Sequence, residues 1–225
     1  MDINPKPIII AYAGSLKGGT TTLSHTLFSI VLDYFWTYNP KNIEPSTRTG
    51  SYLLKAISIL RDKHDVPKEK LQVWFWGDID NQNQIEIDEL NLSDYTRITG
   101  FKSKVETKRL LAKADILFLP LEKGIGDQPP LFLPGKLFEY LSLNKPIFAL
   151  SENGECNEIL EKSGLGIIAP PDDPEAIAGI LYDYIEHRNK FKKLQGNKSF
   201  IEQYSFEKKT QELASVFDKL LANNN

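Results

Sequence analysis

The sequence predicts an α/β fold, a doubly wound and mainly parallel sheet of about six strands with helices on both faces. Three observations carry that expectation: short apolar runs that stop at glycine or proline, helical spacing between those runs, and a chain of 225 residues. That length buries one substantial core. The runs are Ile8–Ala13 before Gly14, Leu71–Trp76 before Gly77, 97–99 before Gly100, 116–119 before Pro120, then 146–150 and Gly166–Ala169. They are near-continuous rather than alternating, the pattern of strands covered on both faces of a parallel sheet. Between them, Leu53, Leu54, Ile57 and Leu60 share one helical face, as do Leu110, Leu111 and Ala114. Leu137, Phe138 and Leu141 repeat the spacing, and so do Ile177, Ile180, Leu181 and Ile185. Right-handed crossovers then wind the helices onto both faces. Ligands of such sheets bind at the C-terminal strand ends, where the loops after Ala13, Trp76, Thr99 and Leu119 gather.

Residues 1–7 read as linker and 8–225 as a single Rossmann-like domain, with a helical or loop insertion around 17–50. Residues 38–50 and 122–134, rich in proline and polar or glycine residues, read as irregular loops, the second beside the ligand edge. Residues 173–194 and 206–221 read as closing helices, with Pro174 near the start of the first, where its missing N–H costs little.

Composition narrows the function classes. Hydrophobic residues make up 41% and charged residues 25%, as in an ordinary globular protein. A net charge of −3 offers no global basic field for nucleic acid or an anionic membrane. Cys156 is the only cysteine, so no disulfide forms within the chain, which suits the cytoplasm. The first seven residues lack a secretory pattern. The apolar stretch 23–36 is interrupted by Ser24, His25, Thr26, Ser29 and Asp33, too short and polar to span a bilayer. No transmembrane segment is expected. His25, His64 and His187 lie far apart without metal-ligand spacing, so no metal is expected. Trp74 and Trp76 flank Phe75 on an apolar run and read as core. Cys156 lacks a basic or histidine neighbour that would activate its thiol.

Residues 14–21, GSLKGGTT, follow a strand and precede a helical pattern, and they fit a phosphate-binding loop in every fixed position but one. Thr20 stands where that loop needs the lysine that meets the β- and γ-phosphates. Lys17 lies inside the loop, and Asp78 follows the next strand as a candidate magnesium-organising acid. The other reading is a glycine-rich strand-to-helix turn of any doubly wound fold. Either way, backbone N–H groups at this edge favour an anionic ligand.

Residues 134–150 read PGKLFEYLSLNKPIFAL. Pro134, Lys136, Glu139 and Tyr140, followed by Lys145-Pro146-Ile147, resemble the donor-site helix and following strand of family 4-type glycosyltransferases of the GT-B fold. Asn153-Gly154-Glu155, Gly164-Leu165-Gly166, Asp172-Asp173-Pro174 and Tyr204-Ser205-Phe206 follow in the order that family shows. Upstream, Gly14-Ser15, Gly77 and Gly100-Phe101 resemble its strand-glycine signals. The resemblance covers about residues 7–221, apart from the insertion within 17–50.

The residues make a physical case of their own. Lys136 and Glu139 are three apart and share a face near a helix N-terminus. A positive helix end with an ammonium suits a diphosphate, while a carboxylate one turn on accepts both hydroxyls of a ribose. The resemblance departs at one point. Many members carry two glutamates with seven residues between them, and counting back from Glu139 finds Leu131. Only the second glutamate is therefore carried over; either backbone groups of the Gly124-Ile125-Gly126-Asp127 loop take the place of the first, or the sugar contact differs. The resemblance also implies a diphosphate-holding cation, at Arg48 with Lys17 as its competitor, and a nucleobase contact at Phe101 beside Gly100.

The resemblance implies the C-terminal, nucleotide-sugar-binding domain of a retaining glycosyltransferase acting on a bacterial glycan or glycoconjugate. Its donor-binding residues would be Glu139, Lys136, Gly135, Gly14, Ser15, Arg48, Gly100, Phe101 and Gly126. No metal or cofactor is implied beyond the nucleoside-diphosphate-sugar donor. The expected partner is a missing N-terminal acceptor-binding domain of the same parent chain, without which the domain binds donor but does not turn it over. Any membrane association of the cytoplasmic enzyme would come from that domain. A P-loop-like NTPase and a non-catalytic nucleotide-sugar-binding domain remain the alternatives.

Overall fold

Strict alternation of side chains about a central strand explains the layering. In β1 (Ile8–Ala13), Ile8, Ile10 and Tyr12 enter one hydrophobic cluster, while Ile9, Ala11 and Ala13 enter a second on the opposite face. A computed structural model describes residues 6–16, 43–44, 47–124, 133–187 and 194–222. After β1 come β2 (Ile43–Glu44), α1 (Ser51–His64), β3 (Leu71–Trp76), α2 (Asn81–Glu89), β4 (Thr96–Ile98) and α3 (Lys104–Leu111). β5 (Ile116–Pro120), β6 (Lys123–Gly124), α4 (Gly135–Ser142), β7 (Ile147–Leu150), α5 (Glu155–Ser163) and β8 (Gly166–Ala169) follow. α6 (Pro174–Glu186), α7 (Lys198–Glu202) and α8 (Phe206–Ala222) complete the described chain.

Six strands form one sheet in the order β4-β3-β1-β5-β7-β8, with every pairing parallel. The order reverses direction on either side of β1, which makes the β1 edge a topological switch point. α1 and α6 cover one face through Leu53, Leu54, Ile57, Leu60, Ile177 and Leu181. α4 and α5 cover the other through Leu137, Tyr140, Leu141, Ile159 and Leu160. The expected doubly wound α/β fold is the fold found.

Local chemistry starts and stops the helices near the site. Asp80 caps α2 by accepting from the Asn83 amide at 3.0 Å. Ser103 and Glu106 close a reciprocal capping box on α3. Pro134 precedes α4 with an extended backbone and caps it with no side chain; its carbonyl accepts from the Leu137 amide at 3.0 Å.

Several details differ from the sequence reading. The strand expected at 97–99 begins one residue earlier, because Thr96, Arg97 and Ile98 pair with Val73, Trp74 and Phe75. Both presumed irregular loops contribute a two-residue strand: β2 and β6 pair antiparallel, Ile43 opposite Gly124 and Glu44 opposite Lys123. The helix expected over 173–194 ends at Glu186. α8 occupies its expected place, yet all of its residues are exposed, including Leu213, Val216, Phe217, Leu220 and Leu221. The 188–193 stretch, and most of the 17–50 insertion, lie outside the described residues.

Candidate functional site

The floor of the site is built by two glycines that only glycine backbones permit. Gly14 ends β1 at φ +129° and Gly77 ends β3 at φ +138°. The Gly14 amide donates to the Trp76 carbonyl at 2.8 Å, so the two strand ends stay paired past their last residues. A Cβ on Gly77 would lie 2.3 Å from the Gly14 carbonyl oxygen, a clash with main chain that nothing nearby can relieve. Above this floor opens a cleft of about 390 Å³. Trp76 and Gly77 border it on one side, Phe101, Lys102 and Thr107 on a second, and Pro134, Gly135, Lys136 and Glu139 on a third, with Arg48 reaching in.

α4 is held in place by its inward face. Tyr140 is fully buried, and its phenol oxygen accepts from the Ala13 amide at 3.4 Å, which ties the helix to the end of β1. Burial pushes the Tyr140 phenol well above its ordinary pKa, so it stays neutral. Glu139 precedes it and is therefore turned outward, exposed at the cleft wall. Lys136, one turn earlier, packs its side-chain end against Gly14, and a Cβ there would sit 2.6 Å from Nζ. Its ammonium lies 5.3 Å from the centroid of the Tyr12 ring.

The electrostatics of the cleft are those of an anion site. Burial lowers the Lys136 pKa below the ordinary 10.5, the charge of Arg48 lowers it further, and Glu139 opposes the shift. Arg48 in turn pairs with Glu122, Nη1 to Oε1 at 2.9 Å, and that carboxylate is buried. Arg48 and Lys136 thus approach one cleft, with Lys102 on its wall, whose floor is backbone and which the N-terminus of α4 borders. A polyanion placed there would be met by these cations and by the helix end.

Of the expected donor-binding residues, Gly14, Arg48, Phe101, Gly135, Lys136 and Glu139 line this cleft together. Ser15 and Gly100 do not line it. The Ser15 carbonyl accepts from the Tyr12 hydroxyl at 2.9 Å, and Gly100, at φ +65°, turns the chain from β4 toward Phe101. Gly126 lies outside the described residues, as do Lys17, Thr20, Thr21 and Leu131. Sequence reading missed Lys102, Thr107 and Pro134 as wall residues and placed Trp76 in the core alone. Trp76 is 3% exposed and still borders the cleft, since it is the last residue of a strand that ends at the ligand edge. That position was the available signal. Within the phosphate-loop pattern, Leu16 is buried and bridges Ile79 in parallel, its amide donating to the Asp78 main-chain carbonyl at 2.9 Å. The chain therefore continues the β1–β3 pairing at that point rather than curling back at once.

Among the described residues no group of three or more His, Cys, Asp or Glu could hold a metal ion. His64 stacks on Tyr182 with centroids 4.4 Å apart, and His187 pairs with Asp183 on its own helix. Burial pushes the Cys156 thiol up to about 12. No helix among the described residues is long and apolar enough to cross a membrane.

Comparison with known proteins places this arrangement. The sequence profile of the family described as "Glycosyl transferases group 1" matches residues 43–187. The chain belongs to that family. It is 35% identical over 107 residues to the amylovoran biosynthesis glycosyltransferase AmsK of Erwinia amylovora, a stretch covering 47% of this chain and 26% of that protein. It is 30% identical over 104 residues to the putative colanic acid biosynthesis glycosyltransferase WcaL of Salmonella typhimurium, covering 45% of this chain and 25% of that protein. The match thus spans about a quarter of these relatives' length. Among solved structures, HepE of Anabaena in complex with UDP and glucose superposes with a TM-score of 0.60 at 16% identity, covering 95% of this chain and 49% of that one. Sucrose-phosphate synthase of Thermosynechococcus elongatus gives 0.58 at 17% identity, covering 77% and 42%. These likenesses show the shared fold: this group 1 glycosyltransferase chain has the Rossmann-like α/β architecture of GT-B enzymes. The profile match takes in α1, α4 and every wall residue of the cleft, from Arg48 to Glu139.

Proposed function

We propose that the cleft binds the nucleoside diphosphate of a nucleotide-sugar donor, and that the chain serves as the donor-binding domain of a retaining, family 4-type glycosyltransferase. The observation that carries this reading is the convergence of Lys136, Glu139, Arg48 and the Gly14 turn on one cleft at the switch point of the sheet. In this reading the first-turn amides of α4, including that of Gly135, and the Lys136 ammonium face the diphosphate, with Arg48 beside them. Glu139 accepts the ribose hydroxyls, and the base lies toward Phe101 and Lys102. Solved neighbours support the ligand class, since HepE of Anabaena was captured with UDP and with UDP-glucose.

Transfer requires the bond from the anomeric carbon to the diphosphate to break while negative charge collects on the leaving oxygen. Donors fixed in advance at that position stabilise the charge without reorganising. Lys136, Arg48 and the α4 N-terminus are such donors, and no metal is invoked. The acceptor belongs to a bacterial glycan or glycoconjugate, a reading supported by the polysaccharide names of the relatives. It would be presented by an acceptor-binding domain, so this chain by itself binds donor without transferring sugar. The NTPase reading has less support, because Leu16 extends strand pairing into the motif and the profile match is to glycosyltransferases.

Calorimetric titration of the chain with UDP, GDP and ADP, each without and with magnesium, tests the proposal. One of the three should bind without the metal, and Glu139→Ala should weaken that binding about tenfold or more. Absence of binding by all three would refute it.

A further inference from the structure

The Arg48 side chain belongs to a segment far in sequence from the other cleft residues, and its placement depends on a specific junction. Thr47 is 2% exposed, and its hydroxyl does two things at once. It donates to the Leu121 carbonyl at 3.1 Å and accepts from the Lys123 amide at 2.8 Å. A side chain thereby bridges two backbone groups of the strand that leaves β5. Next to it, the Arg48 guanidinium meets the buried Glu122 carboxylate at 2.9 Å. Earlier in the chain, β2 pairs antiparallel with β6, Glu44 opposite Lys123 and Ile43 opposite Gly124. Three kinds of contact therefore fix one register between residues 43–48 and 121–124.

Both halves of this junction are anchored to the core. On one side the Leu121 amide donates to the Leu150 carbonyl at 3.0 Å, the Gly124 amide to Glu152 at 3.2 Å, and the Lys123 ammonium to Asp172 at 2.7 Å. On the other, the Ser51 amide donates to the Thr49 hydroxyl at 3.2 Å, and Thr49 in turn meets the buried Asn83 side chain at 3.4 Å. Asn83 also donates to the Leu16 carbonyl at 3.4 Å. The loop ends that follow β1, β3, β5, β7 and β8 are thus joined around the foot of Arg48.

The arrangement brings the Arg48 guanidinium to the same cleft as the Lys136 ammonium, close enough for its charge to lower the Lys136 pKa, although like charges repel. A purely structural junction has no use for that proximity, whereas an anion site does. We propose that Thr47 and Glu122 are positioning residues that set the Arg48 guanidinium as the second cation of the diphosphate site. This inference rests on the donor-binding reading above. Thr47 acts by locking the register and Glu122 by fixing the direction of the guanidinium.

The test is a double-mutant cycle between Thr47 and Arg48, read by calorimetry with the best-binding of UDP, GDP and ADP and with its monophosphate. Arg48→Ala should weaken the diphosphate about tenfold and the monophosphate far less. Thr47→Val should reproduce part of that selective loss, Thr47→Ser should restore it, and Thr47→Val should add nothing once Arg48 is Ala. Glu122→Ala gives a sign test that does not depend on Thr47. Removing a carboxylate beside an anion site strengthens anion binding by charge alone, but removing the group that aims Arg48 weakens it. Weakening is expected. Equal losses for diphosphate and monophosphate, a Thr47→Val effect that persists in Arg48→Ala, or tighter binding in Glu122→Ala would each overturn the proposal. If the wild-type chain binds no nucleotide, the donor-site reading itself fails and this inference falls with it. If it binds and Arg48→Ala changes nothing, only this inference fails.

Discussion

Gly135 gives a prediction in which stability and binding move in opposite directions. It is the first residue of α4, and a Cβ built on it has no neighbouring heavy atom within 4 Å. Its φ lies outside the left-handed region, so Gly135→Ala adds a methyl group to open space without backbone strain. The substitution reduces the conformational freedom of the unfolded chain and should stabilise the fold by about 0.4–1 kcal/mol. For a domain of this size that raises Tm by roughly 1–4 °C. In a helix the Cβ tilts toward the N-terminus, which here is the direction of the cleft. A phosphate oxygen accepting from a first-turn amide needs to approach to about 2.9 Å, and a methyl group at the helix entrance obstructs that approach. Losing one charge-assisted hydrogen bond of about 1.5–3 kcal/mol corresponds to a loss of about 10- to 150-fold in affinity. Differential scanning fluorimetry and calorimetry on the same preparation read the two effects. A lowered Tm would mean that the space before α4 is not open. An unchanged nucleotide affinity would refute the use of this helix end by the ligand.

Four further outcomes follow from the same geometry. Lys136 has its pKa lowered in the fold, so between that value and 10.5 the unfolded chain binds more protons and stability rises with pH. Lys136→Met should therefore be the more stable protein at neutral pH, and the difference from wild type in chemical denaturation should shrink as pH rises toward 10.5. Glu139→Ala should bind a ribonucleoside diphosphate and its 2′-deoxy analogue about equally, whereas the wild type prefers the ribose form; competition calorimetry measures the ratio. Gly77→Ala combines left-handed backbone with a main-chain clash and should cost about 2–5 kcal/mol in urea denaturation. The exposed stripe Leu213, Val216, Phe217, Leu220 and Leu221 on α8 should drive concentration-dependent self-association in sedimentation velocity. Leu213→Lys with Phe217→Lys should reduce it.

The fold was legible because the central strands carry both a signal and a stop. Ile8–Ala13 and Leu71–Trp76 are apolar runs closed by glycines, and the structure gives those glycines a reason in their positive φ and mutual contact. The α4 segment was legible because Lys136 and Glu139 lie three apart on the face turned to the cleft while Leu137, Tyr140 and Leu141 fill the core. What escaped was non-local. The pairing of Ile43–Glu44 with Lys123–Gly124 joins segments about 80 residues apart, each two residues long and without an apolar signature. Two-residue strands leave no periodicity to read. Glu122 escaped for a related reason: a carboxylate in a loop gives no sign of burial until its partner is placed. Thr107 and Lys102 are ordinary residues of a capped helix start and became wall residues only through the position of α3 relative to α4.

The two touching glycines at the strand ends also limit how such a cleft can diversify. Where Gly14 meets Gly77, the floor is main chain against main chain, and a side chain at Gly77 would run into it. Selection among ligands therefore has little access to the floor and acts on the walls, at Phe101, Lys102 and Thr107 and at Pro134, Lys136 and Glu139. A shared socket with interchangeable sides lets one fold accept new substrates without rebuilding its foundation.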